Sequence, residues 1–361
     1  MKKVQLVTLH SQNNNFGSIL QAYALYSYTS QLGYDVEVLN YKPYYSNGSI
    51  DAKALIKKII VNTMFLPYYI LRSIRFNRFI KQEKQTKKFT SYDELEKNHP
   101  EADIFMIGSD QVWNTSFLCG KDPTYYLKYT HSTKKMSYAA SMGRIVNSQE
   151  EINRIVELTK NFRFISLREE KSAVQLQQLG RLDAKYVLDP VFLLSYSDYK
   201  KLQVNSKQYD SDYILAYVIH KDDFISQVID EIVEKTGKKV IQVGGFASKC
   251  NYDNFPRSAG PREFLTLVEN ASFIVTSSFH GTAFAHIYQK QFAIVMPSSN
   301  TLRIENILET AGTTNRVVNE KNDIEKILSQ NIDYNKVNLK LNKRIEESRE
   351  YLIESLRTLS K

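Results

Sequence analysis

The sequence predicts an α/β protein built from two doubly wound domains that face a cleft. Three observations carry this expectation. Short apolar, β-branched runs alternate with segments of helical period along most of the chain. The alternation breaks at a polar stretch, Ser195 to Asp212, and then restarts. A chain of 361 residues is also long for a single hydrophobic core, so two domains are the default.

Taken in order, Val4 to Leu9 reads as a strand, Ser11 to Gly17 as a polar loop, and Ser18 to Leu32 as a helix. Leu20, Ala24, Tyr28 and Leu32 share one face of that helix. Gly33 closes it, and Val36 to Tyr41 is the next strand, which completes a βαβ unit. Further strands are expected at Asp103 to Ile107, Met136 to Ala140, Phe164 to Leu167 and Tyr186 to Leu188. A helix is expected between Arg168 and Leu179. Beyond the polar break, Tyr213 to Ile219 is a strand. The helix from Asp222 to Lys235 places Phe224, Ile225, Val228, Ile229, Ile232 and Val233 on one side. Val240 to Val243 is a strand ending in Gly244-Gly245. A helix from Pro261 to Glu269 follows, then strands at Phe273 to Val275 and Phe292 to Met296, and a helix from Leu302 to Thr310. A charged helix over about Val337 to Leu356 either packs on the surface or crosses back to the first domain. The expected division is 1–194, with a basic helical insertion at about 52–90, then 195–330, then a C-terminal helix in 331–361.

Composition narrows the function classes. The net charge of +9 is confined to one window: Lys53 to Lys88 holds ten Lys and Arg and a single acid, Glu83. The rest of the chain therefore sums to zero, which argues against a general nucleic-acid binder. That window mixes Ile, Leu, Phe and Tyr with its cations. It suits peripheral contact with an anionic membrane, or a pair of surface helices with an inward apolar side. Two cysteines, Cys119 and Cys250, lie far apart and predict neither a disulfide framework nor a metal site, so a cytoplasmic setting is expected. The six histidines are scattered, and no metal is expected. The N-terminal apolar run, broken by Gln5, Thr8 and His10, reads as a strand and not a signal peptide.

The most informative segment is Phe273-Ile-Val-Thr-Ser-Ser-Phe-His-Gly-Thr-Ala-Phe-Ala285. A strand there runs into a helix N-terminus through small hydroxylated residues. Ser277, Ser278 and Thr282 supply hydroxyls, and Gly281 permits close backbone approach. Free N–H groups and the helix dipole then converge on one point, which is an anion site. His280 sits at that point and can move a proton near neutral pH. The structural alternative is a histidine that only caps the helix.

Six segments together resemble one family, the polysaccharide pyruvyl transferases. They are Asn14-Asn-Phe-Gly-Ser-Ile-Leu-Gln-Ala-Tyr-Ala24, Ile107-Gly-Ser-Asp-Gln-Val-Trp-Asn114, Tyr138-Ala-Ala-Ser141, Ser166-Leu-Arg-Glu169, Leu188-Asp-Pro-Val191 and Ser277-Ser-Phe-His-Gly-Thr-Ala-Phe284. They occur in the family's order. The resemblance implies a GT-B-like arrangement of two Rossmann-like domains. It also implies a transferase that moves pyruvate from phosphoenolpyruvate, as co-substrate and without a resident cofactor, onto a sugar as a ketal. The acceptor would be a bacterial surface polysaccharide, capsule or exopolysaccharide, or its lipid-linked precursor. Many members carry Arg-Leu just before the motif histidine, where this chain has Ser278-Phe279.

On this resemblance the catalytic candidates are His280 as acid/base and Asp110 as a group that orients or deprotonates a sugar hydroxyl. Arg168, Ser277, Ser278, Gly281, Thr282, Arg303 and Gly244 are the donor-binding candidates, with Arg303 a replacement for the missing arginine. Asn15, Gly17, Ser18, Gln21 and Trp113 are the acceptor-side candidates. Each has a plainer reading: an ion pair of Arg168 with Glu169 or Glu170, a solvated helix face for Arg303, a core anchor for Trp113, a structural turn for Gly17. Two rival functions stay open, a nucleotide-sugar glycosyltransferase of the same architecture and a non-catalytic membrane-surface protein that keeps the fold.

Overall fold

The computed structural model describes residues 1–9, 14–43, 45, 66–205, 212–219, 223–244 and 256–361. The first half runs β1 (Lys3–Val7), α1 (Phe16–Gln31), β2 (Asp35–Val38), α2 (Leu66–Ile80), α3 (Tyr92–Asn98), β3 (Ile104–Ile107), β4 (Lys135–Ser137), α4 (Gln149–Thr159), β5 (Ser166–Leu167), α5 (Glu170–Gln178) and β6 (Lys185–Tyr186). The second half runs α6 (Tyr196–Leu202), β7 (Tyr213–Val218), α7 (Asp223–Thr236), β8 (Val240–Gly244), α8 (Pro261–Asn270), β9 (Ala271–Thr276), α9 (Phe279–Ile287), β10 (Gln291–Ile294), α10 (Leu302–Ala311), α11 (Asn322–Ser329) and α12 (Tyr334–Leu359).

Each half holds a parallel four-stranded sheet, ordered β2-β1-β3-β4 and β10-β9-β7-β8. Parallel strands need crossover connections, so helices cover both faces and central strands become apolar throughout. All four residues of β3, Ile-Phe-Met-Ile, are buried, as are all six of β7. Strands β5 and β6 pair separately and extend the first sheet through bridges from Met136 to Phe164 and Ala140 to Leu167.

One feature departs from the sequence expectation. The polar stretch after Ser195 holds α6, started by a capping box between Ser195 and Asp198. It buries Tyr199 and Leu202. The 52–65 part of the basic window lies outside the described residues. Its described helix, α2, packs one side inward and buries Phe76 and Phe79.

Two contacts join the halves. Phe16 of α1 stacks on Phe264 of α8 at 4.7 Å and meets Tyr217 of β7 edge-on at 6.1 Å. One apolar cluster therefore runs from α1 and α2 into the second sheet. Helix α12 returns across the molecule. Val337 and Leu341 join that cluster, whereas Leu352, Leu356 and Leu359 are buried against the first sheet. Along the way Ser348 accepts the Leu188 N–H at 2.9 Å, and Arg349 donates to the Leu193 carbonyl at 2.7 Å.

Candidate active site

A cleft of about 660 Å³ opens where strand C-termini of both sheets meet. It takes Asn15 and Ser18 from the β1–α1 turn, Asp110 to Cys119 in part from the loop after β3, and Ser277 to His280 from the β9–α9 turn. Arg303 and Ile304 of α10 close one side. This is the place where open α/β sheets bind ligands.

The two helices that open onto the cleft are capped by the residues the motifs supply. Asn15 accepts from the Gly17 and Ser18 N–H groups at 2.9 and 3.2 Å. Ser278 accepts from Gly281 N–H at 3.4 Å, and its own N–H donates to the Thr276 hydroxyl at 3.0 Å. Gly281 is required because a methyl group there would overlap the Thr276 hydroxyl. Ser277 lines the cleft, and its hydroxyl is buried without a hydrogen-bond partner among the described residues.

His280 is 6% exposed and packs edge-on to Phe279. A methyl group on Gly17 would overlap its ring, so Gly17 of one half forms a wall for the histidine of the other. Its Nε2 is buried without a hydrogen-bond partner among the described residues and lies 3.9 Å from Asp189. Burial pushes its pKa down to about 4; Asp189 opposes this fall and Arg168 adds to it. His280 is therefore neutral at pH 7 and ready to accept a proton. A bound anion would reverse this, since nearby negative charge favours imidazolium.

Behind His280 lies a buried charge cluster. Arg168, 2% exposed, donates to Asp189 at 2.5 Å and lies 3.8 Å from Asp110 and 3.9 Å from Glu169. Asp189 also accepts from the Ser109 hydroxyl at 3.0 Å and the Val191 N–H at 3.1 Å. Burial opposes ionisation of Asp189, yet Arg168 and His280 hold its carboxyl below the usual range. Arg303 is half-buried, and its Nε is buried with no hydrogen-bond partner among the described residues. Burial, with Arg168 nearby, lowers its pKa to about 10, so it stays cationic at neutral pH. The Phe279 ring lies between the two guanidiniums, 4.9 Å from Arg168 and 6.0 Å from Arg303.

The structure separates the remaining candidates. Asp110 lines the cleft in a left-handed conformation (φ 74°), with its carboxylate accepting from Gln111 N–H at 2.9 Å. Trp113 does not line it. It is fully buried, stacked at 6.0 Å on Tyr126, and its indole N–H donates to the Tyr125 carbonyl at 2.8 Å. Phe117, 45% exposed, takes the aromatic position at the cleft instead. Gln21 is buried and spends its amide on Thr8, Leu9 and Ser18. The Thr282 hydroxyl donates to the Ser278 carbonyl inside α9. Gly244 (φ 100°) ends β8 against Val218 and Tyr217, and is not part of the cleft lining. Arg168 is a buried partner of Asp189 and is likewise absent from the lining. Asp189 is the residue whose place the sequence left unassigned. Its signal was the Asp-Pro pair at a predicted strand end, but a carboxylate's partner 91 positions away has no local signature.

The sequence pattern of the polysaccharide pyruvyl transferases matches residues 15–299, most of the chain and every segment of the cleft described above except Leu9 and the Arg303 side of α10. The chain belongs to this family. No curated protein matches it significantly. Among solved structures this pyruvyl transferase family member is similar to the UDP-N-acetylglucosamine 2-epimerase of Rickettsia bellii. The TM-score is 0.54 at 12% identity, covering 98% of this chain and 97% of that one. It is also similar to the UDP-GlcNAc 2-epimerase of Neisseria meningitidis bound to UDP-GlcNAc (TM-score 0.52, 14% identity, 99% and 100% covered). A third is Arabidopsis thaliana UGT89C1 complexed with UDP-L-rhamnose (TM-score 0.53, 12% identity, 97% and 94% covered). These likenesses show the fold, two Rossmann-like domains in the GT-B arrangement. Among the described residues no helix is long and apolar enough to cross a membrane, and no three His, Cys, Asp or Glu gather as a metal site.

Proposed function

We propose that this family member transfers pyruvate from phosphoenolpyruvate to a sugar of a surface polysaccharide or its lipid-linked precursor, as a ketal. The observation that carries the reading is a half-buried cation, Arg303, whose buried Nε has no hydrogen-bond partner among the described residues, set in the same cleft wall as a neutral buried His280. A guanidinium lining the cleft beside a helix N-terminus suits a ligand with a carboxylate and a phosphate. Arg303 then supplies the charge that Ser278 does not.

The chemistry follows from balance. A sugar hydroxyl adds to the enol carbon while the methylene carbon takes a proton. The C–O bond to phosphate breaks to give an oxocarbenium-like centre, and a second hydroxyl closes the ring. Of the two hydroxyl protons, one ends in the new methyl group and one leaves with phosphate. Asp110 accepts from the attacking hydroxyl. His280, charged once the anionic donor is bound, delivers the proton to carbon. Asp189 is a positioning residue that faces His280 Nε2, in the manner of the third member of a nucleophile–base–orienter set. Phe117 offers a sugar-stacking face.

A thermal-shift screen of phosphoenolpyruvate against UDP- and GDP-sugars tests the donor. Stabilisation by phosphoenolpyruvate alone is expected. Stabilisation by a nucleotide sugar alone would make the protein a glycosyltransferase of the same fold. His280→Ala is expected to retain donor binding and lose phosphate release by about 10²–10⁴-fold. Near-normal release would remove His280 from the mechanism.

A further inference from the structure

We propose that the outward face of α2 is a membrane-contact surface that seats the protein on anionic lipid headgroups. The inference does not depend on the identity of the donor. Helix α2 has apolar residues on two sides, Phe76 and Phe79 inward and a second set outward. Two of its three arginines turn inward: Arg72 donates to the Asn14 carbonyl at 2.9 Å and lies over Phe16 at 4.6 Å, and Arg75 pairs with Glu263 at 3.2 Å. Four of its aliphatic residues turn outward. Leu66, Ile70, Leu71 and Ile74 are 40–51% exposed, and the positions 66, 70 and 74 form one i, i+4, i+8 row. Arg78 and Lys81 continue the same side of the helix, both exposed. The stripe thus reads apolar at one end and cationic at the other.

A groove of about 450 Å³ between α2 and α8 extends this surface, with Leu71, Ile74 and Val204 below and Arg78 and Arg262 at the rim. Neighbouring carboxylates are already engaged, Glu263 with Arg75 and Asp35 with Lys84. What is left outward is aliphatic surface bordered by cations, the complement of an acyl–headgroup boundary carrying negative charge. Position supports the same partner. The inward side of α2 braces Asn14, next to Asn15 in the cleft wall, so this face and the cleft are linked through the β1–α1 turn.

The test is co-sedimentation of the full chain with phosphatidylcholine vesicles with and without phosphatidylglycerol, at low and high salt. Binding is expected only with phosphatidylglycerol. The double variant Ile70→Glu/Ile74→Glu should lose at least about tenfold in partitioning at either salt. Arg78→Glu/Lys81→Glu should lose most of the low-salt binding and its salt dependence. Neither pair touches the cleft, so thermal stability and the response to phosphoenolpyruvate should stay at wild-type values, which shows that the variants fold. No sedimentation of the wild type, or unchanged sedimentation of Ile70→Glu/Ile74→Glu, overturns the proposal. A wild-type dimer that Ile70→Glu/Ile74→Glu converts to monomer, without vesicle binding, assigns the face to a second copy of the chain and also overturns it.

Discussion

His280 changes character with its surroundings. Burial leaves it neutral, with a pKa of about 4. A donor anion beside it favours the imidazolium, so donor binding should take up a proton. Calorimetry of phosphoenolpyruvate binding in buffers of different ionisation enthalpy reads this directly. An uptake of zero in the wild type would mean that His280 stays neutral through binding. Gly17 is the second residue-scale determinant, since a methyl group there would overlap the His280 ring. Gly17→Ala should improve local helix propensity yet lower turnover by at least about tenfold through displaced proton-transfer geometry. Comparing kcat with the melting temperature separates the two effects.

At the scale of elements, the loop after β3 shows how a motif can be legible while its roles are not. Gly-Ser-Asp-Gln-Val-Trp marked the loop correctly as part of the cleft, through Asp110 and Gln111. The sequence could not say which side chains turn outward. The buried stacking partner Tyr126 and the acceptor carbonyl of Tyr125 hold Trp113 inside. Trp113→Phe leaves that carbonyl unpaired and a small void, and should cost about 1–3 kcal/mol in chemical denaturation. Phosphoenolpyruvate binding should be unchanged by it. A loss of acceptor affinity greater than the stability loss explains would return Trp113 to the sugar surface.

Over the whole molecule, two buried histidines and the buried Glu83 shape the acid response in opposite senses. His286 donates from Nδ1 to the Thr282 carbonyl at 2.8 Å and accepts from the Thr313 hydroxyl at 3.0 Å; burial pushes its pKa also to about 4. Between pH 6.5 and 4 the unfolded chain binds protons at both residues while the folded protein does not, so each histidine lowers stability as pH falls through that window. Glu83, whose carboxyl burial pushes up to about 8, works in the opposite sense, because there the folded protein holds the proton that the unfolded chain has lost. The histidine shifts correspond to roughly 3 kcal/mol each at most. Urea midpoints from pH 7 to 4, compared between the wild type and His286→Gln, check this: the variant should lose less stability on acidification than the wild type. Identical pH dependence in the two proteins would contradict it.

Much of this protein was determined by local sequence. Parallel strands and their crossover helices announce themselves by apolar runs and helical period, because backbone geometry ties side-chain direction to residue spacing. The Ser277–Thr282 segment identified the strand-to-helix turn at which His280 sits, because caps and glycines act within a few residues. Tertiary structure alone decided the rest. It set His280 against Gly17 of the other half, turned Trp113 inward and Phe117 outward, and left a row of aliphatic residues of α2 facing out. It also ran α12 back over the first sheet. Each of these depends on contacts between residues far apart in the chain, and on burial, which sets charge states that no spacing rule records.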